Sequence, residues 1–337
     1  MDALHYSFII PVYNRPDEIK ELLQSFLAIE ANIPFEIVII EDGSTIDCKT
    51  VVNEFESSLN ISYYYKPNSG PGDSRNYGML KAKGNYFIIL DSDCLLPSQY
   101  LKVVNNELEI EFVDCFGGPD AADESFSNLQ KAINFAMTSF ITTGGIRGAK
   151  SKNKKFQPRS FNMGISQAAF KASGGFGDIH PGEDPDLSIR LTKLGFKTKL
   201  FSNAFVYHKR RISWSKFYKQ VYKFGLVRPI LNLWHPSTNR LIFWLPTLFC
   251  LGIVFGIIFA FLGIYYILIF YGIYLAIAFL LALVQTKSLL IAIQVIIAIL
   301  IQFLGYGYGF FKSTFAIKIL KNKPELYYPN LFFKNAN

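Results

Sequence analysis

Two carboxylates, Asp91 and Asp93, directly follow a run of apolar side chains at residues 86–90. A short apolar run with polar residues on both sides is typical of a strand that is buried on both faces. Ligands of open α/β sheets bind outside the carboxyl ends of the strands, and two carboxylates there can share one hard divalent cation with phosphate oxygens. The spacing therefore predicts a site for a metal ion and a diphosphate, with Ser92 between the two acids.

A carboxylate also follows the apolar run at residues 35–40, in the sequence Glu41-Asp42-Gly43-Ser44. At the end of a strand, Asp42 is well placed to accept hydrogen bonds from a nucleobase N–H or a ribose hydroxyl. A carboxylate that only stabilises the glycine turn explains these residues equally well.

A glycine-rich stretch at residues 68–78 follows a predicted strand at residues 61–65. Asp73 is predicted to cap the N-terminus of the next helix, with Arg75 in the first turn. Free N–H groups and the helix dipole attract phosphate at such a junction, and an arginine adds a charge-assisted contact. The stretch therefore predicts a phosphate contact.

Two further acids, Glu183 and Asp184, precede a predicted helix. Carboxylates are favoured at a helix N-terminus, so these residues alone indicate ordinary capping. A catalytic role requires them to reach the same cleft as Asp91. His208 ends another short apolar run, and a structural histidine and a metal ligand are equally compatible with it.

Apolar runs of strand length alternate with helical patterns along the first 117 residues. Helices are predicted from Pro16 to about residue 29, from the glycine turn to about residue 57, and from Pro97 onward. This alternation predicts an α/β domain with a mostly parallel central sheet flanked by helices. Residues 120–160 are predicted to be irregular and to form a basic loop near the membrane or the substrate. Its basic residues are Lys150, Lys152, Lys154, Lys155 and Arg159.

Residues 241–284 and 288–311 contain no charged side chain. Because a membrane span needs about 20 apolar residues, the sequence predicts an integral membrane protein. The first stretch is long enough for a helical hairpin with a break near Gly263. No signal peptide is expected at the N-terminus, so we expect the N-terminal portion in the cytoplasm. The four cysteines show no paired spacing and are expected to be reduced.

The net charge of +8 hides an asymmetry. Residues 1–149 hold 10 Lys and Arg against 21 Asp and Glu, whereas residues 150–240 hold 18 against 4. The predicted spans follow directly, so contact with anionic lipid headgroups or a phosphorylated substrate is favoured over nucleic-acid binding. A solvated basic face is the alternative.

Aromatic residues at helical spacing from Trp214 onward predict a helix in the headgroup region, with core packing as the alternative.

The number of predicted membrane segments conflicts with the basic charge of the C-terminal residues. Residues 312–337 hold five lysines and one acid, which predicts the cytoplasmic side. Three full spans would place these residues on the side opposite the N-terminal portion. Either residues 291–311 are re-entrant or interfacial, or the charge bias is overridden. Gln294 and Gln302 share a helical face and are expected to hydrogen-bond a neighbouring helix, with acceptor contact as the alternative.

Taken in order, these residues resemble the family 2 glycosyltransferases, which are inverting enzymes with the GT-A fold. The resemblance covers roughly residues 5–225, and the order of several loose motifs makes it specific. The motifs are Ile9-Ile10-Pro11-Val12-Tyr13-Asn14, Glu41-Asp42-Gly43-Ser44, Arg75-Asn76-Tyr77-Gly78, Asp91-Ser92-Asp93, Gly174-Gly175-Phe176 and Gly182-Glu183-Asp184.

The resemblance implies a nucleotide-sugar donor, Mn²⁺ or Mg²⁺ as cofactor, and roles for particular residues. Asp184 would be the base that deprotonates the acceptor hydroxyl, with Glu183 beside it. The metal would be bound by Asp93, Asp91 and His208. The donor nucleotide would contact Pro11, Tyr13, Asn14, Asp42, Gly70, Arg75, Asp91 and Ser92. One base and one metal, without a nucleophilic carboxylate, agree with single displacement and inversion.

Residues 220–224 depart from the pattern of processive members, which carry Gln-x-x-Arg-Trp near the membrane. Lys223 and Phe224 replace the Arg and the Trp, which favours transfer of a single sugar over polymer synthesis. The resemblance thus predicts transfer from a nucleotide-sugar, UDP-linked. The membrane segments and the basic residues suggest a lipid or lipid-linked acceptor at the cytoplasmic face of the cell membrane. A processive synthase and a non-catalytic membrane scaffold that binds nucleotide-sugars are the alternatives.

Four segments are predicted. Residues 1–212 form a cytoplasmic GT-A domain, and residues 213–240 an amphipathic interfacial helix with a linker. Residues 241–311 form a membrane region of two to three helices, and residues 312–337 a basic cytoplasmic tail. The expected partners are the donor, the bilayer and the acceptor, with no nucleic acid. The sequence predicts no oligomeric state.

Overall fold

The computed structural model describes residues 3–30, 33–121, 126–144, 157–208 and 213–333. It separates into two compact units that are interleaved along the chain. The sheet unit contains the described residues up to 121 together with residues 157–208 and 330–333. The helical unit contains residues 126–144 and 213–329. The lysines of the predicted basic loop, Lys150, Lys152, Lys154 and Lys155, lie outside the described residues.

The sheet unit is built on two sheets. Its strands are β1 (Tyr6–Val12), β2 (Phe35–Asp42), β3 (Ile61–Lys66), β4 (Tyr86–Leu90), β5 (Cys94–Leu95), β6 (Cys115–Gly117), β7 (Asp120–Ala121), β8 (Asn162–Ser166), β9 (Thr198–Leu200) and β10 (Val206–His208). The large sheet has the order β3-β2-β1-β4-β8-β6-β9, and the small sheet has the order β5-β10-β7. In the large sheet only β8 runs antiparallel to its neighbours, β4 and β6. The predicted α/β class with a mostly parallel sheet is confirmed.

Strands β1 and β4 are buried on both faces, as their apolar runs predict. Phe8 and Ile88 lie in one hydrophobic core, whereas Ile9, Phe87 and Ile89 lie in the core on the opposite face. All five side chains are fully buried. Because successive side chains of a strand point to opposite faces, only an uninterrupted apolar run fits this position. The acids after β4 therefore begin where the centre of the sheet ends.

The helices follow in chain order. They are α1 (Pro16–Leu27), α2 (Lys49–Asn53), α3 (Pro71–Lys81), α4 (Tyr100–Ile110), α5 (Asn128–Thr138), α6 (Phe140–Thr143), α7 (Gln167–Ser173), α8 (Glu183–Lys193), α9 (Trp214–Trp234), α10 (Leu245–Phe261), α11 (Tyr266–Thr286), α12 (Leu289–Thr314) and α13 (Pro324–Tyr327). Helices α5, α6 and α9 to α13 belong to the helical unit, and the others belong to the sheet unit. Helix α1 begins at Pro16, as predicted, because the fixed φ of proline suits the first helical turn.

Two local predictions were wrong. Asp73 does not cap α3, because Gly70 is the N-cap residue and Pro71 begins the helix. The described residues at 126–144 are not irregular, because they form α5 and α6. Helix α5 begins with a capping box formed by Ser127 and Gln130, and its apolar side chains share one hydrophobic cluster with α12. That cluster stabilises α5. Because α12 is distant in the chain, the sequence around α5 does not indicate this contact.

Three helices of the helical unit are long and apolar enough to cross a membrane. The predicted hairpin is confirmed, because α10 and α11 are joined by a short turn in which Gly263 has φ 79°. Helix α12 packs against α9, where Phe217 and Val221 are buried in the shared cluster. These two aromatic-face positions of α9 therefore pack in a core, as the alternative to a helix in the headgroup region predicted.

The expected hydrogen bonds of Gln294 and Gln302 are absent at their carbonyl oxygens. Both Oε1 atoms are buried and have no hydrogen-bond partner among the described residues. The side chains that surround α12 are mostly apolar, so its neighbours offer few donors. The prediction of hydrogen bonds to a neighbouring helix was wrong for these oxygens.

Candidate active site

Arg75 connects acids that are far apart in the sequence. This side chain of α3 is 3% exposed. Its Nη2 donates to Asp91 Oδ1 at 2.8 Å, and its Nη1 donates to Glu183 Oε1 at 2.8 Å. The guanidinium carbon also lies 5.3 Å from the centre of the Phe176 ring. The N-terminal half of α3, the end of β4 and the start of α8 therefore meet in one site.

Burial and charge act in opposite directions on these groups. Burial alone would lower the pKa of the Arg75 guanidinium, but Asp91 and Glu183 raise it above its ordinary value. Burial alone would raise the pKa of the Glu183 carboxyl, but His180 and Arg75 hold it well below its usual range. The ionised forms of both residues are therefore the stable ones, and Glu183 is unsuited to donate a proton.

The adjacent acids Glu183 and Asp184 have different surroundings. Glu183 Oε1 and Oε2 lie 3.1 and 3.2 Å from His180 Nδ1, so the carboxylate is enclosed between His180 and Arg75. The Asp184 side chain is 16% exposed, and its Oδ2 lies 3.6 Å from Arg159 Nη1. Of the two predicted catalytic acids, Asp184 is therefore the one with access for a substrate.

The small sheet brings His208 to Asp93. Strand β10 pairs with β5 so that His208 lies opposite Cys94. His208 Nε2 is 3.1 Å from Asp93 Oδ1, and Arg15 Nη1 donates to Asp93 Oδ2 at 3.0 Å. The imidazole also stacks on Phe161, with ring centres 4.9 Å apart. These contacts fix the orientation of His208 toward the carboxylate.

A metal-ligand set fits at this position. The ligand atoms of Asp93, Cys94 and His208 lie within 4.8 Å of one another. A carboxylate and an imidazole suit Mn²⁺, whereas a thiolate suits softer ions. The Cys94 thiol donates to Phe161 O at 3.4 Å, so we assign it no metal. Asp91 is outside this group, and its Oδ1 accepts a hydrogen bond from Arg75.

Asp42 holds the glycine-rich loop together. Its Oδ1 accepts from Lys66 Nζ at 2.8 Å and from the Ser69 N–H at 3.0 Å. Its Oδ2 accepts from the Gly70 N–H at 3.0 Å and from Asn68 Nδ2 at 3.3 Å. The side chain is 4% exposed. Asp42 therefore has a structural role in the loop at residues 66–70, rather than in the turn at Gly43, and a contact with a nucleotide would exchange one of these hydrogen bonds.

The remaining predicted donor contacts lie at the same edge of the sheet. Asn14 Oδ1 accepts from the N–H groups of Thr45 and Ile46 at 2.9 and 3.0 Å. It thereby ties the end of β1 to the loop after β2. The exposure of the others differs: Pro11 is partly buried on β1, Tyr13 is 52% exposed, and Ser92 is buried after β4. Tyr13 therefore offers an accessible ring to a ligand at this edge.

Three site residues were missed in the sequence, and Arg159 was predicted only as part of the basic loop. Arg15 contacts Asp93, Lys66 contacts Asp42, His180 contacts Glu183, and Arg159 contacts Asp184. A local signal existed for two of them, because Arg15 directly follows Asn14 and His180 precedes the acid pair. No local signal marks Lys66 or Arg159 for these contacts.

The fold and the site indicate a GT-A glycosyltransferase, and a comparison with protein families supports this class. The family model of glycosyl transferase family 2 matches residues 7–173. This part of the chain belongs to that family.

Curated relatives match parts of the chain. An uncharacterized glycosyltransferase of Rickettsia bellii is 36% identical over 108 residues, which are 32% of this chain and 15% of the relative. The poly(ribitol-phosphate) beta-N-acetylglucosaminyltransferase of Staphylococcus aureus is 31% identical over 102 residues, 29% of this chain and 18% of the relative. The chondroitin synthase of Escherichia coli is 24% identical over 235 residues, 60% of this chain and 34% of the relative. The chain thus spans less than half the length of each.

A solved structure supports the fold. The mannosyltransferase of Pyrobaculum calidifontis, in complex with GDP-Man and Mn²⁺, superposes with a TM-score of 0.52 at 15% sequence identity. The match covers 65% of this chain and 61% of that chain. Because the sequence identity is low, this likeness shows the fold alone, which is the GT-A fold.

Proposed function

We propose that this chain is an inverting glycosyltransferase that moves one sugar from a nucleotide-sugar, UDP-linked, to a hydroxyl group. The observation that carries the proposal is the position of Arg75 between Asp91 and Glu183. This arrangement joins the acids after β4 to the acid pair of α8 in one cleft. Membership of the matched segment in family 2 supports the reaction class.

The donor would bind across the carboxyl ends of β1, β2 and β4. Its nucleotide would contact Tyr13, Asn14 and Asp42, and its diphosphate would approach Gly70 and the N-terminus of α3. Free N–H groups at the first turn of a helix favour a phosphate there. Arg75, whose position is fixed by its hydrogen bond to Asp91, would orient the sugar-diphosphate.

Asp93 and His208 would hold Mn²⁺ or Mg²⁺, with Asp91 as the further predicted ligand. When bound, the ion would neutralise the negative charge that develops on the leaving diphosphate. Asp91 would turn one carboxylate oxygen toward the ion and keep the other on Arg75. Arg15 would then serve the donor phosphate, because its present partner Asp93 would bind the ion.

Asp184 would accept the proton of the acceptor hydroxyl. Its exposure of 16% and its place in the first turn of α8 support this role. The hydroxyl oxygen would attack the anomeric carbon while the bond to the diphosphate breaks, so the configuration inverts in one displacement. Arg159, 3.6 Å from Asp184, would orient the carboxylate.

The acceptor is proposed to be a lipid or a lipid-linked glycan at the cytoplasmic face of the cell membrane. Three helices that are long and apolar enough to span a membrane support a bilayer anchor. The basic balance of residues 150–240, with 18 Lys and Arg against 4 acids, supports a phosphorylated or anionic partner.

The first test measures release of nucleoside diphosphate by the detergent-purified protein from a panel of UDP- and GDP-linked sugars, with Mn²⁺ and with a chelator. We expect release from one donor that depends on the metal. Release that persists in chelator would remove the metal role of Asp93 and His208. Absence of both turnover and nucleotide binding would remove the proposed function.

The second test is the variant Asp184→Asn. We expect transfer to fall by about 100-fold or more, because general-base catalysis contributes at least that much, while binding of the nucleotide is retained. Asp186→Asn is the matched control, because Asp186 contacts Arg190 on the same helix. Normal transfer by Asp184→Asn would remove it as the base.

A further inference from the structure

Residues 331–333 return to the sheet unit and pair with the loop that precedes α8. We call them the return segment. The His180 N–H donates to Leu331 O at 2.8 Å, and the Phe333 N–H donates to Asp178 O at 3.0 Å. An antiparallel bridge lies between these two hydrogen bonds, and Leu331 is 3% exposed. The return segment is thereby fixed by its backbone beside the acid pair.

The side chain of Phe333 lies on the glycine-rich loop. A methyl group at Gly70 would overlap the Phe333 ring, so the ring occupies the space that any other residue at position 70 would fill. The same ring lies 6.0 Å from the His180 ring, at 55°. Phe333 therefore contacts the loop held by Asp42 and also the histidine that contacts Glu183.

These contacts extend to the centre of the site. His180 contacts Glu183, Glu183 contacts Arg75, and Arg75 contacts Asp91. Removal of the Phe333 ring would remove this aromatic contact of His180 and would open the loop at Gly70 to water. Both changes would occur beside the proposed diphosphate position.

We propose that Phe333 is a positioning residue of the active site, and that its ring forms an apolar wall that keeps water from the bound donor. The inference rests on the proposed function, because it assigns the donor diphosphate to the loop at Gly70. In donor hydrolysis, water attacks the anomeric carbon, the bond to the diphosphate breaks, and the proton of the water passes to a base or to solvent. A wall at this position slows that reaction, because exclusion of water prevents hydrolysis of a reactive group.

The test compares the full chain in detergent with Phe333→Ala and Phe333→Tyr, with Phe332→Ala as the control from the same segment. Hydrolysis of the active nucleotide-sugar is measured with Mn²⁺ and without acceptor, and UDP and GDP binding is measured alongside. We expect Phe333→Ala to raise the hydrolysis rate at saturating donor and the donor KM, each several-fold. Phe333→Tyr keeps the ring and should behave as the wild type, as should Phe332→Ala.

Unchanged hydrolysis in Phe333→Ala would overturn the inference. Tighter nucleotide binding with no rise in hydrolysis would also overturn it, because the ring would then occupy the place of the donor. If the alanine variant does not fold, Phe333→Leu keeps apolar volume and should show an intermediate rise. If the wild type is active and Asp184→Asn is inactive, but Phe333→Ala behaves as the wild type, this inference is overturned and the proposed function is retained. No turnover and no nucleotide binding by the wild type would overturn both proposals.

Discussion

At the scale of residues, the neighbouring acids Glu183 and Asp184 have different surroundings. Glu183 is 3% exposed and contacts Arg75 and His180, whereas the Asp184 side chain is 16% exposed beside Arg159. An ionised carboxylate enclosed by two partners is suited to hold other groups in place. A carboxylate that a substrate can reach is suited to take a proton. We therefore treat Glu183 as the positioning member of the pair and Asp184 as the base.

Glu183→Gln is predicted to destabilise the fold by about 3 kcal/mol at neutral pH, because it leaves the buried Arg75 without one of its charge partners. The folded-state pKa of Glu183 lies below the ordinary 4.5. Its ionised form therefore stabilises the fold above that pH, and this contribution is lost as the pH falls through the folded-state pKa. Thermal unfolding in detergent at several pH values measures the difference between variant and wild type.

The control for this prediction is Glu109→Gln, because Glu109 is exposed on α4. An exposed substitution should change the unfolding free energy by less than about 0.5 kcal/mol at every pH. A difference between Glu183→Gln and wild type that does not shrink toward acid pH would contradict the ion-pair explanation.

At the scale of elements, glycine allows α9 and α12 to pack closely. A methyl group at Gly225 of α9 would overlap the backbone at Tyr306 and Phe310 of α12. A methyl group at Gly309 of α12 would overlap the backbone at Tyr222 of α9. Small residues at helix interfaces let backbones approach and increase van der Waals contact in membranes. Gly305 and Gly309 thus form a packing surface of α12 toward α9, whereas Gly307 lies against Pro246 of α10.

Gly225→Ala is predicted to destabilise the helical unit by about 1–3 kcal/mol, because overpacking forces the two backbones apart. Gly272→Ala is the matched control in α11, where a methyl group would meet nothing within 4 Å. The control should be neutral or more stable, since alanine favours a helix over glycine by about 1 kcal/mol. Thermal unfolding in detergent compares the two. Equal stability of both variants would refute close packing at Gly225.

At the scale of the whole molecule, the return segment bears on the membrane topology. Residues up to 208 and residues 331–333 belong to the same sheet unit, and one folded unit lies on one side of a bilayer. The number of complete crossings between them is therefore even. Three helices of the described chain are long and apolar enough to cross, so we predict that at least one of them does not cross completely. This prediction agrees with the basic charge of residues 312–337 and favours a re-entrant or interfacial segment.

The topology is testable with single cysteines and a membrane-impermeant maleimide. Lys102→Cys on α4 and Asn330→Cys beside the return segment are both exposed positions. We predict that they label from the same side in sealed vesicles of one orientation. Cys48, Cys94 and Cys115 are buried, so the wild-type protein gives the background. Labelling of the two positions from opposite sides would show an odd number of crossings and separate the return segment from the sheet unit.

The sequence by itself determined the α/β class and the apolar helices, and it predicted a set of site residues. These features depend on local patterns. An uninterrupted apolar run such as residues 86–90 suits only a strand buried on both faces, and acids that follow such strands lie at one edge of a parallel sheet. For the same reason, Asp42, Asp91 and Asp93 were each predicted at the carboxyl end of a strand.

Tertiary structure alone decided which of these residues touch. Arg75 reaches Glu183 across 108 positions, β8 runs antiparallel between β4 and β6, and α5 is stabilised by a cluster that it shares with α12. Phe333 covers Gly70 because residues 331–333 pair with the loop before α8. Each contact joins segments whose local patterns do not refer to one another. Such contacts depend on long-range packing, which periodicity and local propensity do not encode.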